Sequence, residues 1–334
     1  MKTVIYECPF IPAEWIAAHG LRPSRVQPPA AGAILSLGSE DGTCPYARAC
    51  LAAFFHYPGD AIVYTTTCDQ MRRGCEVTIA QTAKPVFVLH VPKTWEQPEA
   101  SAFYREELLR LSRFLVSLGG HAPSNSKLSE VLLAFDGARR QLVELRSVAT
   151  ARQFSEFIAR FNQAGDPGCM VDIRKVFDAA PPAALARKKI PVALFGSPLM
   201  SHHYFLFDSL EKLGGRIVLD GTTTGELGLP GLMDRQAIRE DPLQCLVNAY
   251  FGTIPDAFRR PNDQLYTWFR EKGLERGVRG ILFRHYVWCD TWHSEAQRLK
   301  EWSSWPVVSL ETGEETQLTG HTLARLQSLV EMLQ

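Results

Sequence analysis

Ala61-Ile62-Val63-Tyr64-Thr65-Thr66-Thr67-Cys68-Asp69-Gln70-Met71-Arg72-Arg73-Gly74-Cys75 reads as a short buried strand that turns directly into a helix. A cysteine is thereby delivered at the strand's carboxyl end, where the helix begins, and a second follows seven residues on. A helix amino terminus stabilises negative charge and lowers a thiol pKa, and in open α/β sheets ligands collect beyond the carboxyl ends of the strands. Taken alone, the same residues also fit a buried structural thiol, since free cysteine is among the most buried residue types.

The same alternation extends in both directions. Thr3–Tyr6 is a strand, a helix runs from Pro12 to His19, and Pro23, Pro28 and Pro29 mark a linker-like loop. A strand at 33–37 precedes a helix at 43–55 with Cys44 near its cap and Pro45 in its first turn. The helix at 69–82 leads to Val86–Val91, an apolar run between prolines that fits a buried parallel strand. Residues 98–188 change to helical periodicity, with helices expected at 102–115, 126–146, 150–163 and 170–178. Strand–helix alternation resumes with strands at 191–195, 216–220, 280–284 and 307–310 and helices at 204–213, 242–251, 263–275, 293–302 and 319–333. The expectation is an α/β protein with doubly wound parallel sheets. Its parts are an N-terminal lobe at 1–97, a helical bridge at 98–189 and a C-terminal lobe at 190–334.

Composition narrows the chemistry. The 334 residues carry 36 Lys plus Arg against 36 Asp plus Glu, so no net field favours nucleic acid or an anionic membrane. No apolar run approaches the ~20 residues of a membrane helix, and the first residues lack a signal-peptide core, so a soluble cytoplasmic protein is expected. Eight cysteines are many for a compartment in which disulfides rarely persist, which turns attention to metal or catalysis. They form neither a CxxC zinc ribbon nor a tight ferredoxin-like run, so any shared site must assemble through the fold.

Cys44, Cys68 and Cys289 share one context, after a strand or at a helix start, and Cys8 is a fourth such thiol. Convergent thiolates suit an iron–sulfur cluster, and the alternative is a set of scattered core thiols. His202 and His203 follow the strand at 191–195 as candidate proton donors or as a capping pair. His285, four residues before Cys289, is a candidate donor to a cluster sulfur. Arg48 and Arg72, each four residues after a motif cysteine, are candidates to balance cluster charge or form ordinary surface pairs. The glycines at 221, 225 and 228 lack the lysine and hydroxyl of a Walker loop, so no ATP site is expected there.

Four motifs together carry a resemblance. Glu7-Cys8-Pro9-Phe10-Ile11-Pro12-Ala13-Glu14-Trp15-Ile16-Ala17-Ala18-His19-Gly20-Leu21-Arg22-Pro23-Ser24-Arg25, Cys44-Pro45-Tyr46-Ala47-Arg48, Thr67-Cys68-Asp69-Gln70-Met71-Arg72-Arg73 and Gly280-Ile281-Leu282-Phe283-Arg284-His285-Tyr286-Val287-Trp288-Cys289-Asp290 occur in this order. They resemble the signatures of the 2-hydroxyacyl-CoA dehydratase and benzoyl-CoA reductase subunit family, which includes proteins like the 2-hydroxyglutaryl-CoA dehydratase D-component. The resemblance implies two flavodoxin-like lobes joined by helices, with an iron–sulfur cluster between them. It implies a [4Fe-4S] cluster on Cys44, Cys68 and Cys289. In the related double-cubane branch an [8Fe-9S] cluster takes further cysteines, for which Cys8, Cys50 and Cys75 are the candidates. It also implies a separate ATP-dependent iron–sulfur activator, an acyl-CoA or other small-molecule substrate, and a homodimer or a heterodimer with a related subunit. A noncatalytic cluster-handling or scaffold protein is the alternative from another class.

Overall fold

The computed structural model describes residues 1–28, 42–179, 189–313 and 315–334. The strand expected at 33–37 lies outside the described residues. Two four-stranded sheets organise the rest, every pairing parallel. The first contains β1 (Thr3–Tyr6), β2 (Arg22–Arg25), β3 (Ala61–Thr65) and β4 (Val86–Leu89) in the order β2-β1-β3-β4. The second contains β5 (Ile190–Gly196), β6 (Gly215–Thr222), β7 (Gly280–Tyr286) and β8 (Val307–Thr312) in the order β6-β5-β7-β8. Each sheet therefore repeats one topology, and its strand order reverses direction between the first and third strands, the crevice in which open α/β sheets bind ligands.

The helices are α1 (Ala13–Ala18), α2 (Pro45–His56), α3 (Asp69–Gln81), α4 (Pro98–Ser117), α5 (Asn125–Leu145), α6 (Ala151–Ala164) and α7 (Met170–Ala179) through the first lobe and the bridge. The second lobe adds α8 (Phe205–Lys212), α9 (Arg235–Glu240), α10 (Pro242–Val247), α11 (Asp263–Glu275), α12 (Asp290–His293), α13 (Glu295–Trp302) and α14 (Gly320–Leu333). Local chemistry explains their limits. Thr150 and Gln153 form a reciprocal capping box at the start of α6, and Gly165 ends it in the left-handed conformation at φ 61°. A Cβ on Gly165 would stand 1.7 Å from the Pro23 carbonyl oxygen, so this helix end is seated directly on β2.

That contact corrects one expectation. Pro23 is not in a linker; it lies in β2, at the edge of the first sheet. The Arg22 and Val26 amides donate to the Lys2 and Tyr6 carbonyls of β1 and its flank, so the alternate position, where proline lacks its N–H, faces away from the ladder.

The chain also crosses between its halves. Met233, Ile238, Leu243, Leu246, Tyr250, Phe251 and Phe258 pack in one buried cluster with Phe10, Trp15, Tyr104 and Leu132 of the first lobe and the bridge. Residues 233–258 thus leave the second sheet, cover the first lobe and return. Met200 and Tyr286 of the second lobe join a cluster with Ile5, Tyr46, Phe54, Ile62 and Tyr64 of the first. Arg25 spans the junction, donating to the carbonyls of Glu7 at 2.6 Å and of Thr223, after β6, at 2.8 Å. No helix among the described residues is long and apolar enough to cross a membrane.

Candidate metal centre

The carboxyl ends of β1, β3, β5 and β7 open into one cavity of about 630 Å³, its mouth included. Its lining carries Cys8 after β1, Cys68 after β3, Pro198 after β5 and Cys289 after β7, together with Cys44. Both sheets thus contribute their switch points to the same cavity.

Cys44, Cys68 and Cys289 occupy one kind of position. Each is the residue immediately before a helix, and its carbonyl accepts the first helical hydrogen bond, from Arg48 at 3.1 Å, Arg72 at 3.0 Å and His293 at 2.8 Å. The three sulfurs stand beside the positive helix ends, where first-turn amides (Ala47 for Cys44, Gln70 and Met71 for Cys68, Trp292 for Cys289) favour the thiolate.

The electrostatics divide the thiols. Burial, with the Glu7 carboxylate beside it, pushes the Cys8 thiol up to about 12, and Thr67 Oγ1 lies 3.6 Å from its sulfur. Burial pushes Cys68 up to about 12 against the opposing pull of the Met71 and Gln70 amides. Cys44 and Cys289 share a hydrogen bond between their sulfurs, which raises Cys44 and lowers Cys289 to about 7. The Trp292 amide and the Ser197 hydroxyl, at 3.6 Å, assist the Cys289 thiolate. Three of the four thiols thus resist ionisation in this cavity, which disfavours three independent nucleophiles. A metal centre brings the positive charge that deprotonates a coordinating thiol, so the donor set and its burial fit one.

Cys50 and Cys75 do not line the cavity. Cys50 is wholly buried on α2 and Cys75 is buried on α3, both in the apolar cluster around Phe54 and Tyr64. The histidines also stand back. His203 is buried behind Tyr286, whose hydroxyl lies 3.3 Å from its Nδ1, and an Arg284 guanidinium nitrogen lies 3.2 Å from its Nε2. Burial and that guanidinium hold His203 far below the usual imidazole range. His202 is partly buried beside it, with ring centroids 4.1 Å apart, and burial lowers its pKa too. β7 extends through Tyr286, so alternation sends Tyr286 to the cavity and His285 to the other face, against His293. Arg72 forms an exposed pair with Asp69 at 3.0 Å, the surface reading of that residue.

Five polar groups of the lining were not singled out by sequence. Glu7 accepts from the Tyr46 hydroxyl at 3.1 Å, and burial raises its pKa. Tyr46 stacks on Tyr286 across the lobe junction, with centroids 5.8 Å apart. Thr223 lines the far wall. Asp256 arrives on the 233–258 excursion, and burial raises it to about 6 against the pull of the Phe258 amide, which donates to Oδ1 at 3.0 Å. Glu7 and Tyr46 lie inside cysteine motifs, where adjacency was the available signal; Asp256 has no local signal.

Comparison with known proteins agrees with these features. The family profile described as HGD-D, 2-hydroxyglutaryl-CoA dehydratase, D-component, matches residues 8–333. The Escherichia coli (strain K12) protein named "Putative dehydratase subunit YjiM" is 21% identical over 323 residues, covering 87% of this chain and 76% of its own length.

Proposed function

The chain belongs to the 2-hydroxyglutaryl-CoA dehydratase D-component family, and from that membership we propose that it is the iron–sulfur subunit of a dehydratase-type enzyme. Cys44, Cys68 and Cys289 are the proposed ligands of a [4Fe-4S] cluster, with Cys8 as the further thiol of the same cavity. The observation that carries this reading is the convergence of these four cysteines, drawn from both lobes, on one cavity at the strand ends. When bound, such a cluster supplies one-electron chemistry at low potential.

The chain's own residues shape the rest of the cavity. Tyr46 and Tyr286 form a stacked aromatic wall at the lobe junction. Asp256, with a pKa raised to about 6, can hold or release a proton at its carboxyl near neutrality. The Tyr46 hydroxyl donates to Glu7 Oε1 and fixes a second carboxyl in the cavity lining, available to a small-molecule or acyl-CoA substrate. An ATP-dependent iron–sulfur activator is the proposed source of the electron, and an identical or related subunit the proposed oligomeric partner. The reaction is dehydration or reduction of the bound substrate.

Cys50 and Cys75 are not among the residues that line the cavity, which favours one cubane over the double-cubane alternative. The carboxyls and tyrosines of the lining favour an enzyme over a noncatalytic cluster scaffold. Anaerobic purification with iron and sulfide analysis tests the reading. About four irons per chain are expected, lost on Cys44→Ala, Cys68→Ala or Cys289→Ala. About eight would select the double cubane, and absence of iron and sulfide would sink the proposal.

A further inference from the structure

The face of β7 turned away from the cavity carries a second constellation. His285 stands opposite Glu311 in the parallel register of β7 and β8, and its Nδ1 lies 3.9 Å from Glu311 Oε1. His293, the last residue of α12, brings its ring to within 5.1 Å of the His285 ring, edge to face. One donor atom from each of the three residues lies within 4.8 Å of the other two.

We propose that His285, His293 and Glu311 bind a divalent first-row transition cation, Zn²⁺ being the best match, with water in the remaining position. Two imidazoles and one carboxylate with an open position form a recurrent zinc ligand set, and imidazole favours zinc over the hard cations magnesium and calcium. Ligand atoms ~2.1 Å from a tetrahedral ion stand ~3.4 Å apart, so the cluster has only to contract. Exposed His293 and Glu311 can make that adjustment, while His285 is 4% exposed on a paired strand and serves as the fixed ligand. Two neighbouring strands and a helix carry the set, a rigid scaffold of the kind metal sites need.

The site is separate from the thiol-lined cavity and does not depend on the function proposed for it, yet it is mechanically close. The His293 amide donates to the Cys289 carbonyl at 2.8 Å. A cation held by His293 therefore braces the turn that presents Cys289.

Cobalt titration of the full chain, tag-free and under anaerobic conditions, tests the assignment. The Co²⁺ held by His285, His293 and Glu311 is expected to give visible d–d absorption without sulfur-to-cobalt charge transfer, any thiolate-like component belonging to the thiol-lined cavity and vanishing in Cys44→Ala, and Zn²⁺ should displace it. His293→Ala and Glu311→Gln should each weaken that binding at least about ten-fold, whereas Cys44→Ala should leave it in place. Both substituted residues are exposed, and circular dichroism checks that the variants fold. A Zn²⁺-dependent rise in melting temperature that is present in Cys44→Ala and lost when His293→Ala is added to it is the second expected readout. Native affinity in both His293→Ala and Glu311→Gln, or a cobalt spectrum that is only thiolate-like and vanishes in Cys44→Ala, overturns the proposal.

Discussion

In the cluster-free protein, the Cys44–Cys289 pair should titrate unlike any other thiol in the chain. The first proton leaves the pair near pH 7, recorded at Cys289, against 9.0 for an ordinary thiol. At pH 7 about half of Cys289 is thiolate, compared with roughly 1% of an ordinary thiol, a ~50-fold advantage in reactive form. Lower basicity returns part of it: with a Brønsted slope of 0.4–0.5, a drop of two units costs about 6- to 10-fold in nucleophilicity. The net expectation is alkylation about 5- to 8-fold faster than an equally accessible ordinary thiol at pH 7. At pH 9, where the ordinary thiol is half ionised, the order reverses and Cys289 is about 3- to 5-fold slower. Iodoacetamide labelling followed by peptide mass spectrometry reads the profile, and its half-maximum near pH 7 does not depend on accessibility. Cys44→Ala removes the donating thiol and should move the midpoint upward. A midpoint near 9 in the native chain, or one near 7 that persists in Cys44→Ala, would refute the pairing.

Two further outcomes concern stability. Glu14 is wholly buried, pairs with Arg139 of α5 and accepts from the Tyr250 hydroxyl at 2.5 Å, so Glu14→Gln leaves a buried guanidinium without its counter-charge and should cost about 3–5 kcal/mol. With ~2.1 cal/mol/K per residue over 334 residues, that is a fall of about 4–7 °C in melting temperature by calorimetry, and a fall below about 1 °C would contradict it. Burial raises Asp220 from 3.8 to about 6 although Ser155 and Thr222 donate to it. Because the folded pKa is the higher one, stability associated with the protonated carboxyl is present at low pH and lost as pH rises through about 6. Relative to Asp220→Asn, the native chain should lose roughly 2 kcal/mol between pH 4.5 and 7.5 in thermal melts, and a gain over that interval would show the sign to be wrong.

Much of the site was legible along the chain because its cues are local. A strand that ends in a cysteine followed by helical periodicity specifies a thiol at a helix start, and Cys44, Cys68 and Cys289 all take that position. Period and bounding residues likewise marked β1 and β3 to β8 and the helices between residues 98 and 179. Pro23 misled because proline reads as a loop, whereas the outward position of an edge strand tolerates it.

Which thiols meet was not a local matter. Cys44 immediately precedes α2 and Cys50 lies on it, yet only the first lines the cavity, and that depends on what packs around each position. A shift of strand end by two residues decided whether His285 faced the cavity or the opposite side. Asp256 reaches the cavity only because residues 233–258 find their apolar partners in the first lobe. Periodicity and capping act over a few residues, so sequence specified each cysteine's place at a helix end. Joining Cys44 to Cys289 required two sheets to dock through contacts such as Arg25 to Thr223, 198 residues apart, which no short-range pattern encodes.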